Sequence, residues 1–475
     1  MNSLKILLSA ALGCALTSSA AEPAAWPAFR GLNCSGVSDT AKPPAKFGPD
    51  ENVAWSMDVP WAPSSPCVWG QRIFLTAFVD GKLETRAYNR PDGKLLWTRD
   101  VTADKLEEYH ATEGSPAAST PATDGKKVVS YFGSCGLVCY DFEGKELWRH
   151  PLPTITSPGG FGSGGSPMIA GGLVLVNRDQ AGASSLIAVD LKTGKEAWET
   201  PRLDIAPGFG TPIAWKNGGV EEVVMSGGLK LKGYELKTGK ERWSLGGMPA
   251  FACTTPVVGD GMLFFAGWSP GKEPGTSPTF AMMAEKYDKD KDGVITKEEV
   301  KGTDMESFFR AMDYNHDGKI TKEDTDLMAA MMAKGENAMV AVKPGSKGEL
   351  SESQLAWKQT RGLPYVPSPI HYKGRIYLVK DGGMVTCHEA ATGKVVYLQE
   401  RLANAAGGYY ASPVAADGRV FFAANDGKVT VIKAGAETLE VLHQIDFKQR
   451  IFATPALVGD KIYLRTDKKL YALGK

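Results

Sequence analysis

Eight Ser/Thr-Pro steps form a near-regular series along this chain: Ser65-Pro66, Thr120-Pro121, Ser166-Pro167, Thr211-Pro212, Thr255-Pro256, Ser368-Pro369, Ser412-Pro413 and Thr454-Pro455. All but one of the steps between these prolines run from 42 to 55 residues. The sequence that follows alternates apolar and polar residues, as from Arg375 to Val379 and from Lys461 to Arg465, which is the period of a half-buried strand. A second mark recurs inside the units, a glycine four residues ahead of an aromatic: Gly93 and Trp97, Gly144 and Trp148, Gly194 and Trp198, Gly239 and Trp243, Gly393 and Tyr397. Such a glycine supplies the left-handed residue of a tight turn leading into an outer strand. Each step holds about four short strands, one blade of a propeller. A linear stack of units needs capping ends, whereas a ring needs none. The last unit, Thr454 to Leu473, lacks an outer strand, and Asn52 to Trp55 reads as an outer strand without a blade. Joining them closes the ring and hides the sheet edges. The expected fold is all-β, an eight-bladed β-propeller in which the tryptophans serve blade packing.

Between Pro256 and Pro369 the step widens to 113 residues, and the surplus contains two twelve-residue loops, 288–299 and 313–324. Oxygen side chains fall at positions 1, 3, 5, 9 and 12: Asp288, Asp290, Asp292, Thr296 and Glu299 in the first, Asp313, Asn315, Asp317, Thr321 and Asp324 in the second. Gly293 and Gly318 take the sharp turn, and Val294 and Lys319 offer backbone carbonyls at position 7. This is the EF-hand spacing, which suits a hard cation because alternate residues of a coiled loop point inward. Two calcium sites are expected. Asp324 is one methylene shorter than the usual glutamate, so the second loop should hold calcium more weakly, with magnesium a competitor. Ile295 and Ile320 are placed to join the loops as a short antiparallel ribbon, with Tyr287, Met312, Phe308 and Phe309 in a small shared core. The pair reads as a small α-helical insert in the fifth blade, flanked by linkers 270–278 and 344–348, with Ala356 and Trp357 resuming the outer strand. Insertions at hairpin tips cost a ring little. Met328, Met331 and Met332 are expected to pack within the pair or onto the ring rather than form an open groove.

Lys5 precedes the apolar run Ile6 to Leu16, and small residues Ser18 and Ala20 precede a cut near Ala21, the pattern of an export signal. A periplasmic or secreted protein follows. Ala11-Leu12-Gly13-Cys14 faintly resembles a lipoprotein signal, but the leucine beside the glycine is out of place, and ordinary cleavage is expected. The domain plan is a signal peptide 1–20, an extended segment 21–51, propeller 52–269, insert with linkers 270–348, and propeller 349–475. No later stretch reaches 18 consecutive apolar residues, so no transmembrane segment is expected. Lysine plus arginine equals aspartate plus glutamate at 54 each, which leaves no net field for nucleic acid. With 43% hydrophobic residues and 54 glycines among 475, the chain has ample core and many turns, and a monomer is expected. Past the signal six cysteines remain: Cys34, Cys67, Cys135, Cys139, Cys253 and Cys387. An even count outside the cytosol invites disulfides. Yet Cys135-Gly136 reads as a two-residue turn setting Phe132 opposite Cys139. Cys139 and Cys387 also share a repeat position with Ala188 and Gly233, so they read as small core residues.

The repeats, together with Trp26-Pro27-Ala28-Phe29-Arg30-Gly31, Tyr365 to Pro369 and Tyr409 to Pro413, resemble the pyrroloquinoline-quinone-type (quinoprotein-like, PQQ-like) β-propeller family. The likeness is greatest to exported members that open with Trp-Pro-x-Phe-Arg-Gly and carry EF-hand inserts, and it covers nearly the whole mature chain. It implies fold and compartment. For activity it implies two things, since relatives include dehydrogenases and a scaffold lipoprotein of the outer-membrane β-barrel assembly machine. Dehydrogenases of the family stack the quinone on a disulfide between adjacent cysteines, and no two cysteines adjoin here, so PQQ is not expected. Asp179 and Glu113 are isolated acids with no paired group to make either a base. A non-catalytic ligand-binding or scaffold ring, with calcium mainly structural, is the preferred reading; a PQQ-dependent dehydrogenase of alcohols or sugars is the alternative. The segments before the Ser/Thr-Pro steps should reach one face around the channel. There Tyr109, His110, Arg361, Tyr365, Tyr409 and Arg450 are the candidate ligand residues, with Phe161, Phe209, Phe251, Tyr410 and Phe452 beside them. Aromatics interleaved with arginine suit a protein, peptide or carbohydrate ligand. His110 has no partner histidine at metal-ligand spacing and reads as a hydrogen-bonded loop residue.

Overall fold

The computed structural model describes residues 24–270, 278–315 and 317–474. The signal segment, Cys14 and most of the first linker lie outside the described residues. Among the described residues, eight sheets of four or five strands, antiparallel apart from the added strands Val37–Ser38 and Gly348–Leu350, follow one another along the chain as eight blades. Middle strands such as Lys127–Phe132 and Leu173–Arg178 are buried on both faces because each blade is covered by a neighbour on either side. Outer strands such as Leu95–Val101 alternate and bury only one face. Core clusters therefore lie between blades: Val129, Tyr131 and Leu137 of the second pack against Val174, Val176 and Ile187 of the third. Val53–Asp58 pairs antiparallel with Lys469–Leu473 and so joins the two ends of the ring in one sheet.

The glycine-to-aromatic repeat turns out to be an interlock between blades. Trp148 Nε1–H donates to Leu191 O of the next blade at 3.0 Å, and a Cβ on Gly194 would stand 2.7 Å from the Trp148 ring. Trp97 with Phe142 and Gly144, and Trp198 with Leu236 and Gly239, repeat the arrangement at 2.9 and 3.1 Å. The turn glycine is thus required twice, for its positive φ and for the missing side chain. Across the ladder each aromatic faces a small residue: Ala87 faces Trp97, Cys139 faces Trp148, Ala188 faces Trp198, Gly233 faces Trp243 and Cys387 faces Tyr397. All six described cysteines are free. The expected two-residue turn at Cys135-Gly136 is corrected: Phe132 pairs with Gly136, and Cys139 pairs with Val129, because Gly133 to Cys135 form a three-residue connection.

The interlock is replaced between the fourth and fifth blades. The fifth blade lacks the Gly-Lys turn, and Trp243 turns inward to donate to Glu222 Oε2 at 2.7 Å. Glu222 is fully buried and also accepts from Arg242 Nε at 2.6 Å and from Asn217. Gly348–Leu350 adds a parallel strand along Trp243–Leu245 and covers the junction.

Helices Phe280–Tyr287, Lys297–Val300, Phe309–Met312 and Lys322–Met332 lie between the second and third strands of the fifth blade. That third strand, Ala338–Val342, pairs with Met262–Gly267, so the insert ends before Ala338, and the boundary at 348 is corrected. Pro344 to Gly348 is a hairpin tip within the blade, whose turn residues read like a linker. Ile295 and Ile320 exchange backbone hydrogen bonds at 2.9 Å over a core of Met283, Tyr287, Val300 and Phe309. Met328 and Met332 pack on Ala250, with Leu229 and Phe251, which fixes the last helix to the ring.

Candidate ligand cavity and calcium loops

The Ser/Thr-Pro residues converge on the axis and close a circle of hydrogen bonds. Ser65 N–H donates to Thr120 Oγ1 at 2.8 Å, Thr120 N–H to Ser166 Oγ at 3.0 Å, and each blade continues to the next. Thr454 N–H donates back to Ser65 Oγ at 2.9 Å. Beyond this circle the N-terminal segment crosses the channel along the innermost strands. Ala25–Trp26 pairs with the first blade, Pro27 O accepts from Thr123 N of the second, and Asn33 exchanges two 2.8 Å bonds with Ala214 of the fourth. Arg30, fully buried, donates to Pro369 O of the sixth, and Val37–Ser38 pairs parallel with the seventh. The Trp-Pro-x-Phe-Arg-Gly segment is therefore the plug of the channel, with Phe29 facing the space above it.

That space is a dead-end cavity of about 380 Å³. The hydroxyl circle forms its floor, and Phe161, Phe209, Tyr365, Tyr410 and Phe452 stand in its walls. His110 is 6% exposed and stacks on Phe161 at 5.7 Å, with Nδ1 3.3 Å from Thr112 Oγ1 and Nε2 buried without a partner. Glu113, from the same turn, accepts from Tyr410 O–H at 2.7 Å. The roof comes from the insert: Phe308 lies 5.2 Å from the His110 ring, and Arg310 pairs with Glu108 at 2.9 Å. Behind the wall Glu107, 2% exposed, accepts from Ser163 N–H at 2.6 Å and from its hydroxyl, and burial pushes its carboxyl up to about 7. Burial likewise pushes the Cys253 thiol, in the cavity wall, up to about 12 and keeps it protonated.

Of the six candidate ligand residues, His110 and Tyr365 line the cavity. Tyr109 packs on Phe78 outside it, at 6.1 Å. Tyr409 is 1% exposed and bonds Ala405 O, so its neighbour Tyr410 takes the wall position. Arg361 is exposed away from the cavity, and Arg450 lies over Trp61 and Phe452 while pairing with Asp467. Phe251 packs under the last helix of the insert, and Phe308, expected in the insert core, roofs the cavity at 39% exposure. Glu113 and Phe308 could not be assigned from sequence because their partners are distant in the chain.

In the first loop the carboxylates of Asp288, Asp290 and Asp292 lie within 4.8 Å of one another. Asp288 Oδ2 accepts from Gly293 N–H at 3.0 Å, while Oδ1 is buried with no partner. Glu299 accepts from Thr296 N–H at 2.7 Å and from Lys289 N–H at 2.8 Å. The second loop repeats this, with Gly318 N–H on Asp313 Oδ2 at 3.0 Å and Thr321 N–H on Asp324 at 2.8 Å. Burial, then Asp324 and Asp317, push the Asp313 carboxyl above its ordinary value. The donors are all hard oxygens, and the orphaned Asp288 oxygen and like charges fit a divalent cation.

An eight-bladed ring of PQQ-like repeats carrying EF-hand loops is the class of protein that these features define. The family model described as outer membrane protein assembly factor BamB matches residues 79–247 and 336–474, and an EF-hand model matches 285–301 and 305–326. The chain belongs to this family of PQQ-like repeat propellers. No curated protein matches the sequence. Among solved structures, BamB from Moraxella catarrhalis is 11% identical, covering 88% of this chain and 96% of its own, with TM-score 0.52. Quinohemoprotein alcohol dehydrogenase from Comamonas testosteroni is 12% identical over 95% and 81%, with TM-score 0.55. A europium-containing methanol dehydrogenase is 13% identical over 94% and 89%, with TM-score 0.56. At these identities the likeness is one of fold.

Proposed function

We propose that this chain is an exported calcium-binding propeller that holds a ligand in its axial cavity, as a binding or scaffold module and not as an enzyme. The observation that carries the reading is the dead-end cavity, plugged by Phe29 on one side and roofed by Phe308 on the other. A cavity of this size, with aromatic walls over a floor of hydroxyl residues, suits one ligand. The two EF-hand loops, through Asp288, Asp290, Asp292, Val294, Thr296 and Glu299, and through Asp313, Asn315, Asp317, Lys319, Thr321 and Asp324, are assigned to calcium, with magnesium a competitor in the second. Calcium acts structurally, because even a site of ~10⁻⁴ to 10⁻³ M fills at the millimolar levels outside cells. Export rests on the N-terminal signal pattern; among the described residues no helix is long and apolar enough to cross a membrane.

The quinone that the fold family implies does not fit. Among the described residues lining the cavity there is no lysine or arginine, and the one carboxylate, Glu113, would face the three carboxylates of pyrroloquinoline quinone. Cys253 is solitary and protonated, so it offers neither an adjacent disulfide nor a thiolate. Incubation with this quinone and calcium, followed by absorbance and dye reduction, tests the alternative: neither a cofactor band nor turnover is expected, and dye reduction with an alcohol would overturn the reading. A thermal-shift screen of the calcium-loaded protein against Ala118→Trp, which fills the cavity, tests ligand binding. Stabilising compounds should lose their effect in the variant, and equal shifts in both proteins would place binding elsewhere.

A further inference from the structure

Three features of the cavity mouth bear on the chemistry of its occupant. First, Glu113 sits between two aromatic groups: its own turn carries His110, packed with Phe161 and Phe308, and its carboxylate is bound by Tyr410, which packs on Phe452 at 4.9 Å. Second, no basic side chain is among the described lining residues, and Arg450, which donates to Thr112 O beside Glu113 from outside the cavity, is paired with Asp467. A charge in a mostly apolar enclosure without a counter-charge is unfavourable, and the enclosure favours whatever supplies one. Third, His110 Nε2 is buried and unpartnered. Thr112 Oγ1 and His110 Nδ1 can each be the donor of their contact, so the fixed acceptor of the mouth is the Glu113 carboxylate, framed by aromatic faces. Ring faces carry negative potential and attract cations. Arg450, seated 5.6 Å from the Phe452 centroid outside the cavity, shows that the same ring already takes a cation on that side.

We propose that the mouth binds an organic cation, an ammonium or guanidinium group on an apolar body, with Glu113 as its polar anchor and His110, Phe161, Phe308 and Phe452 as its walls. This rests on the axial cavity being the ligand site. The ammonium donates to the Glu113 carboxylate, and the apolar body extends between the rings. A free amine and a lysine side chain of a partner polypeptide share this chemistry. An anion would face Glu113, and a neutral alcohol of the same shape would leave the carboxylate uncompensated.

Calorimetric titration of the calcium-loaded protein with benzylamine, benzyl alcohol and benzoate tests it. Benzylamine should bind about tenfold or more tighter than benzyl alcohol, the range of a charge-assisted contact. Benzoate should bind weakest. Glu113→Gln should remove the preference for the amine, and an unchanged circular dichroism spectrum and melting temperature show that the variant is folded. Equal or tighter binding of benzyl alcohol or benzoate would overturn the cation assignment and leave the cavity as the ligand site. Absence of saturable binding by all three would overturn both. Nα-acetyl-lysine methylamide and its Nε-acetylated form separate the sources: binding of the first alone, tighter than benzylamine, points to a lysine side chain, and binding weaker than benzylamine points to a free amine.

Discussion

The ring is held by repetition and the insert by convergence. At the regular junctions of the ring an indole sits over a turn glycine and donates to a turn carbonyl, and the axial circle adds a hydroxyl accepting the neighbouring blade's amide. The contacts are neutral, well buried and spread around the circle. The insert has one small core of six buried residues and two loops that crowd carboxylates together. So little apolar surface offsets that repulsion poorly, and under the proposed calcium assignment a dication would take the place of a larger core. Stability should therefore be distributed and cation-independent in the ring, and concentrated and cation-linked in the insert.

The largest expected effect tests the ring half of this contrast. Trp148→Ala removes a 9% exposed indole and its bond to Leu191, and should cost about 3–5 kcal/mol by urea denaturation. The loss should be the same with calcium and with chelator; a calcium-dependent loss would break the contrast. Glu107 gives the next. Burial raises its folded-state value from 4.5 to about 7, so between those limits the folded protein keeps a proton that the unfolded chain has lost. Its contribution is most favourable below the unfolded value and is lost as pH rises through the window, by no more than about 3 kcal/mol. Glu107→Gln keeps an acceptor for Ser163 N–H, removes the titrating proton and should flatten the fall in stability between pH 4.5 and 7. An unchanged slope in the variant would show that another group causes it. The insert's carboxylates should behave oppositely, since calcium holds them only when ionised.

Calcium removal comes third. Chelation should lower stability by about 1 to 3 kcal/mol at millimolar free calcium through mass action. Asp288→Ala with Glu299→Gln should abolish the part of that response that belongs to the first loop. A full response in the double variant would remove the first loop from the account.

The ring was legible because its marks repeat at nearly constant spacing, and a period in sequence becomes a rotation in space. What the marks do was less legible, because each acts on the next repeat: the glycine of one turn is needed by the tryptophan of the preceding blade, and each hydroxyl by the preceding amide. The Ala338–Val342 strand was hidden by the Pro-Gly tip that follows it. At the cavity a one-residue phase decided the outcome, since of two adjacent tyrosines one is core and the other wall. Phe308 and Glu113 belong to segments nearly two hundred residues apart, and only closure of the ring and docking of the insert bring them to one cavity.

The smallest expected effect lies inside the insert, where the two loops differ in reach. In the first, Glu299 spans from Thr296 N–H to Lys289 N–H at position 2; in the second, the shorter Asp324 binds Thr321 N–H and Asn315 N–H at position 3, 3.1 Å away. Asp324 is fully buried and tied to its own helix start, so it has little freedom to swing both oxygens onto one ion. Asp324→Glu restores the missing methylene and should tighten calcium binding at the second loop by about three- to tenfold, the scale on which ligand charge and reach tune these sites. Calorimetry in an Asp288→Ala background reads that loop alone, and magnesium should compete less well in the variant because a bidentate carboxylate favours the larger ion. Unchanged affinity would mean that rigidity of the helix start, and not reach, sets the second site, and would sharpen the contrast from cation-linked to fold-limited in that half of the insert.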